Sequence, residues 1–346
     1  MQQLKIAAFG EVLLRLMSPG HERLFQSPRL EATFGGSEVN TAIALANFGA
    51  QAAFATVLPD NDVGSACLRE MRAFGLDVSA VRRKPGRMGL YFLETGAMQR
   101  PSKVVYDRAG SAMALAEPGD VDWDRLLEGA TWFHFSGITP AVSASAAALA
   151  LEGVRAAHQK GLRISCDLNY RRTLWRYGRQ PIEVMPEIVR YVDTLLANEE
   201  AFRLCMGVHL PGMGDDALHM LNLNQYADLC ARAMEAYPAL RVIGLTMRES
   251  TSADDNTVQG CLYTREGMLE SPAYRMGDIV DRVGGGDSFA AGLIWGLNRY
   301  ESPQDALNFA MASGVLKHTI PGDFNRVSAE EVEALMGGDG GGRVQR

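Results

Sequence analysis

Short apolar runs alternate along this chain with segments of helical periodicity, and that alternation restricts the possible folds more than any other feature. Lys5 to Phe9, Ala52 to Val57, Thr131 to Phe135, Arg163 to Cys166, Thr194 to Leu196 and Arg241 to Leu245 read as strands. Val39 to Phe48, Ser143 to Gln159 and Gln225 to Ala236 read as helices between them. Strand and helix in turn predict an α/β fold, a mostly parallel sheet with helices on both faces. Two stretches break the pattern. Residues 12–34 and 89–108 contain strand-like pieces, among them Leu90 to Glu94 and Lys103 to Tyr106, without a long helix, and read as a small β lid. The core is then 1–11, 35–88 and 109–336, and the glycine-rich end 337–346 reads as a disordered tail. Residues 208–224, rich in Gly, Leu, Met and His, read as a surface insertion.

In such sheets ligands gather at the C-terminal ends of the strands. Four segments fall there or on the lid. F-G-G-S-E-V-N (34–40) is a glycine turn opening a helix, where Gly36 admits a ligand and Asn40 offers an amide. Y-D-R-A-G-S-A (106–112) sets Tyr106 and Arg108 on one face of an extended strand. D-L-N-Y-R (167–171) follows a strand directly. D-R-V-G-G-G-D-S-F (281–289) leads into the apolar run Phe289, Leu293, Ile294 and Leu297.

The last segment has two readings. It is either a plain turn with an aspartate N-cap, or a nest in which the amides of Gly284, Gly285 and Gly286 converge on an anion at a helix N-terminus. In the second reading Asp287 faces whatever the amides hold. A carboxylate set there is useful as a base that takes a proton from a hydroxyl attacking a bound phosphoryl group. The other three segments favour this phosphotransferase reading.

Composition closes off other classes. A net charge of −7 argues against nucleic-acid and anionic-membrane partners, which need a basic surface. Five cysteines without a C-x-x-C pair point to a reducing cytosol rather than a disulfide framework or zinc site. The six histidines show no metal-ligand spacing, so no protein-held metal is expected. Glu11 and Arg15 interrupt the first apolar stretch, so neither a signal peptide nor a membrane span is expected, and the chain reads as cytoplasmic.

The segment G-G-S-E-V-N-T-A-I-A-L-A-N-F-G (35–49), taken with D-R-V-G-G-G-D, resembles the paired signatures of the PfkB (ribokinase-like) carbohydrate kinases. The resemblance spans roughly residues 5 to 335. Y-D-R-A-G-S-A, S-G-I-T-P-A, D-L-N-Y-R-R-T-L-W and K-H-T-I-P-G-D-F-N are most similar to the family's kinases of 2-keto-3-deoxygluconate. It implies a Rossmann-like core with a β lid that takes part in a homo-oligomer. It also implies ATP-dependent phosphorylation of a terminal primary hydroxyl, with Asp287 as base, Gly284 to Gly286 as anion hole and Arg171 beside them. Substrate contacts would fall to Gly36, Asn40, Tyr91, Tyr106, Arg108, Arg171 and Asp323. The nucleotide would lie near Asn169, Asn198, Thr246 and Arg248, together with Gly284 and Gly286, and Mg2+ would be held chiefly by ATP oxygens and water.

Several positions depart from the family pattern. Arg15 stands where neutral-sugar kinases carry an aspartate, which favours an acidic substrate, with Arg108 and Arg171 suited to clamping its carboxylate. Asp107 beside Arg108 would repel such a substrate unless it points away. N-E-E-A places Ala201 where an acid is usual near the magnesium, so Glu199 or Glu200 would have to serve, and T-M-R-E-S-T-S-A replaces a glycine-rich segment after Leu245. A kinase of fructose, of a deoxy-keto-inositol acid or of a nucleoside, and a non-catalytic sugar-acid-binding protein, stay open as alternatives.

Overall fold

A computed structural model describes residues 4–211, 221–250 and 252–338 of the chain. Most of the expected insertion at 208–224, and the tail from 339 onward, lie outside the described residues. In chain order the elements begin β1 (Lys5–Phe9), β2 (Leu13–Met17), β3 (Glu31–Gly35), α1 (Ser37–Asn47), β4 (Gln51–Ala55), β5 (Val57–Pro59) and α2 (Asp62–Ala73). They continue through β6 (Arg82–Lys84), β7 (Gly89–Glu94), β8 (Lys103–Asp107), α3 (Trp123–Leu126), β9 (Trp132–Ser136), α4 (Ile138–Val142), α5 (Ala144–Gln159) and β10 (Arg163–Asp167). Next come α6 (Pro181–Val189), β11 (Thr194–Leu196), α7 (Glu199–Met206), α8 (Leu223–Ala236), β12 (Val242–Ser250), β13 (Asn256–Thr264), β14 (Gly267–Glu270) and β15 (Tyr274–Met276). The chain closes with α9 (Gly285–Arg299), α10 (Pro303–Lys317) and α11 (Ala329–Met336).

The main sheet runs β14-β13-β12-β11-β10-β9-β1-β4, with β15 also paired to β13. Every pair from β4 to β12 is parallel, and the pairings of β13 are antiparallel. Both faces are buried. Ala7 and Phe9 of β1 point into one core cluster with Phe133, Phe135 and Leu195, while Ile6 and Ala8 point into another with Phe54, Val39 and Trp132. Two buried faces explain why these strands read as continuous apolar runs rather than as alternating ones. The expected strand from Ala52 to Val57 is two strands: Thr56 separates β4 from β5, which leaves the sheet to pair with β6. The strand expected to stop at Leu245 runs on to Ser250 because β13 folds back antiparallel along its whole length.

A second sheet, ordered β3-β2-β7-β8, stands over one end of the first. Leu13, Tyr91 and Leu93 of its inner face pack with Met17 and Val283 of the segment before α9. On its outer side Val105 is 52% and Phe25 is 70% exposed. Below it, α9 and α10 pack closely because Gly292 and Gly296 carry no side chain. A methyl at either would come 2.7 Å from the Cα of Ala310 or Ala306. That contact fixes the start of α9 beneath the lid. The strand order reverses at β1, with β4 added on one side and β9 to β12 in succession on the other, so a crevice opens above the carboxyl ends of the strands.

Candidate active site

A cavity of about 520 Å³ occupies that crevice. Its floor is the start of α9. Gly284 caps the helix with φ +85°, a left-handed conformation that glycine adopts at no steric cost. Gly285 is held from behind, since a methyl there would stand 2.4 Å from the His318 ring. Gly286 is different: beyond its own helix a methyl would meet no atom of the described residues within 4 Å, because this residue faces the cavity. The helix N-terminus is therefore open to a ligand, as an anion nest requires. The N-cap is Gly284, so Asp287 is not the capping residue of a plain turn.

Asp287, in the first turn of α9, is 8% exposed and lines the cavity. Its Oδ1 accepts from the Ser37 hydroxyl and its Oδ2 from the Asn40 side-chain amide, both at 2.7 Å. Asn40 is itself oriented, since its Oδ1 accepts from the Gly36 N–H at 3.2 Å. Ser37 in turn accepts from Asn169 Nδ2 at 3.0 Å. Burial raises the Asp287 carboxyl above the ordinary carboxylate range, and the Asn40 and Ser37 hydrogen bonds only partly oppose it. Both oxygens accept from neutral groups, so the carboxylate is aimed with no ion pair to quench it among the described residues.

Two further carboxyls lie close by. Burial, then the Asp287 charge, pushes Asp167 up to about 7. Burial likewise raises Glu38 to about 7, against hydrogen bonds from Ser136 and Thr139. Ser37, Glu38 and Asp167 were not among the residues expected from sequence. A signal existed for Ser37: three residues before Asn40 on a helix, it shares that residue's face.

The arginines divide sharply. Arg15 does not line the cavity: it is 1% exposed, with Nη2 on Asp281 at 2.5 Å and Nη1 on Asp323 at 2.8 Å. Its expected role as a mark of an acidic substrate is thus replaced by an internal ion pair. Arg108 lines the cavity but gives Nε and Nη2 to Glu11, whose other oxygen accepts from Ser111 at 2.8 Å. Arg171 also lines the cavity, is exposed, and has no carboxylate within ion-pair distance among the described residues. Arg282 reaches the wall as well, donating Nε and Nη2 to the carbonyls of Ala253 and Ser252 at 2.9 Å. Asp107 points away, bound to Arg87 at 2.6 Å.

Gly36, Asn40, Tyr91, Tyr106, Arg108, Arg171, Asp287 and Asp323 all border the one cavity. The Tyr91 hydroxyl is committed to Asp323 at 2.5 Å, so that pair forms a fixed wall. A smaller adjoining hollow is lined by Asn169, Asn198, Thr246 and Gly286, and shares Asp167 and Arg171 with the first. Asn169 joins the two with φ +37°, a backbone state uncommon outside glycine and enriched at functional sites. Asn198 caps α7 by accepting from the N–H of Ala201. Arg248 lines neither hollow: its guanidinium meets the His318 ring at 3.2 Å, behind Gly285. All five cysteines are buried as free thiols, and no described helix is long and apolar enough to cross a membrane.

Comparison with known proteins identifies the family. The family description "pfkB family carbohydrate kinase" matches residues 3–247 and 249–327. A 2-dehydro-3-deoxygalactonokinase of Haloferax volcanii is 31% identical over 97% of this chain and 98% of its own length. A 2-dehydro-3-deoxygluconokinase of Thermoproteus tenax is 27% identical over 96% of this chain and 94% of its own. The crystal structure of a 2-dehydro-3-deoxygluconokinase from Thermotoga maritima superposes with a TM-score of 0.89 at 42% identity, covering 97% of this chain and 99% of that one.

Proposed function

The chain belongs to the pfkB family of carbohydrate kinases, and on that footing we propose that it phosphorylates the terminal primary hydroxyl of 2-keto-3-deoxygluconate with ATP. One observation carries the reading. A buried carboxylate aimed by neutral donors shares a cavity with open helix-start amides and with a guanidinium that meets no carboxylate among the described residues.

Asp287 takes the proton of the acceptor hydroxyl, a contribution of about a hundredfold to ten-thousandfold in rate. The amides of Gly284 to Gly286 hold charge on the transferred phosphoryl group, where each donor of this kind contributes about 3 kcal/mol. Little covalent chemistry is asked of the protein, so positioning and charge carry the catalysis. Arg171 meets the acceptor's carboxylate, with Arg108 held by Glu11 as a second edge. Gly36, Asn40, Tyr91, Tyr106 and Asp323 shape the sugar side. The adenine nucleotide lies over Asn169, Asn198 and Thr246, with Arg248 supporting the glycine turn from behind. Mg2+ bound to the triphosphate would supply further charge neutralisation, and Asp167, which lines both hollows, would face it.

The assay is steady-state turnover with a panel of acceptors at equal concentration. The gluconate-derived keto acid should lead. Fructose, a deoxy-keto-inositol acid or a nucleoside leading instead would overturn the acceptor. Sugar-acid binding without ATP affinity, measured by calorimetry, would mark a silent binding protein. The C4 epimer is a second reading, favoured by the Haloferax volcanii relative. For assembly, we infer pairing of two chains through the lid, where the edge strand β8 exposes Val104 and Val105. Sedimentation of the wild type against Val105→Lys tests it, a monomer being expected only for the variant.

A further inference from the structure

Arg15 belongs to a strand of the lid, yet its charge ends inside the core. Each of its two aspartate partners has another task. Asp281 opens the turn into α9: its Oδ1 accepts from the Val283 N–H and its Oδ2 from the Gly322 N–H, both at 3.0 Å. Asp323 accepts the hydroxyl of Tyr91, which lies on a second lid strand. The Asp323 carbonyl oxygen would stand 2.2 Å from a methyl on Gly284, so this segment presses directly on the cap of α9. Lys317, fully buried, completes the arrangement. Its Nζ donates to the Ile320 carbonyl at 3.1 Å, and its Cε would lie 3.2 Å from the same methyl.

The turn carrying the amides of Gly284 to Gly286 is therefore gripped between Asp281 and the segment 317–323, and one guanidinium from the lid spans both. We infer that Arg15 is a positioning residue: through Asp281 and Asp323 it ties the seating of the lid to the aim of the phosphoryl-binding amides, and it does not itself bind the acceptor. The inference rests on the kinase reading only through those amides, not on which sugar is phosphorylated. A planar guanidinium fixes two carboxylates at once, which a lysine ammonium, a point charge, does not. Misplacement by about 1 Å costs on the order of a hundredfold in rate.

The test compares wild type, Arg15→Lys and Tyr91→Phe, each with ATP and whichever acceptor the wild type turns over, so an error about the sugar leaves it intact. Arg15→Lys should lower kcat by roughly ten- to a hundredfold with little change in either KM. Tyr91→Phe, which keeps the ring and all charges, should lower kcat in the same direction by less. Hydrogen exchange, read without turnover, should rise in Arg15→Lys both along 89–94 of the lid and along 281–288. Three results would overturn the inference: a raised acceptor KM at unchanged kcat, a lowered melting temperature with both constants retained, or faster exchange confined to the lid.

Discussion

The floor and the lid wall of the cavity satisfy their charges in opposite ways. On the floor, Asp287 and Glu38 accept hydrogen bonds from neutral side chains and main-chain groups, and burial raises their pKa values. On the lid side, Arg15 and Arg108 are closed into ion pairs with Asp281, Asp323 and Glu11. Burial works against the charge of Arg15, but Tyr91, Asp281 and Asp323 together outweigh it and hold its pKa above the ordinary value. A carboxylate served by neutral donors keeps its basicity for a substrate. An arginine enclosed by carboxylates keeps its geometry instead. The contrast separates carboxyls open to a ligand's proton from arginines that hold the frame.

The contrast can be broken at three side chains. Asp287→Asn should lower kcat by about a hundredfold to ten-thousandfold while a thermal melt stays at or above wild type, because a buried unpaired charge has been removed. Unaffected turnover would take the base away from this site. Arg108→Met should lose about 3 to 5 kcal/mol of stability in urea unfolding, since Glu11 is left buried without its cation. Arg171→Met should leave stability unchanged and raise the KM for the sugar acid by roughly ten- to a hundredfold, the worth of a hydrogen bond to a charged group. Equal behaviour of the two arginines would erase the distinction between lid wall and floor.

The glycines sharpen it further. Gly286→Ala has room for its methyl, so the melt should hold while kcat falls by up to about a hundredfold through crowding of the phosphoryl group. Gly285→Ala meets the His318 ring, so the melt should fall instead. The smallest effect is in pH. If Asp287 is the proposed base it must be deprotonated, and its pKa is raised, so kcat/KM should fall as pH drops through a limb above the ordinary value of about 4. Asn40→Ala removes a hydrogen bond that opposes the rise and should move that limb to higher pH. A limb at the ordinary carboxylate value in the wild type would remove burial as the controlling influence.

Much of the site was legible in the sequence where it is local. Asp287 and its three glycines are consecutive, and a glycine triplet running into an apolar helix has few uses. Gly36 and Asn40 share one helix start, and Arg108, directly after β8, keeps the two-residue spacing from Tyr106, so their common walls follow from periods of helix and strand. Ser37 and Asp167 stand inside the same segments but act through partners in other segments. Ser37 reaches Asp287 across 250 positions. The bend at Thr56 was hidden because apolar residues lie on both sides of it.

The apolar alternation by itself determined a mostly parallel sheet covered on both faces, because strands that are apolar on both sides must be buried on both. It also determined the glycine turn and the aspartate beside it, since a helix start is built from neighbouring residues. Only the tertiary structure decided which charges remain available to a ligand. Arg15 meets its aspartates 266 and 308 positions away, and Arg108 meets Glu11 across 97, whereas Arg171 meets no carboxylate among the described residues. Ion pairing depends on distance in space and on burial, and neither is carried by the order of residues along a chain.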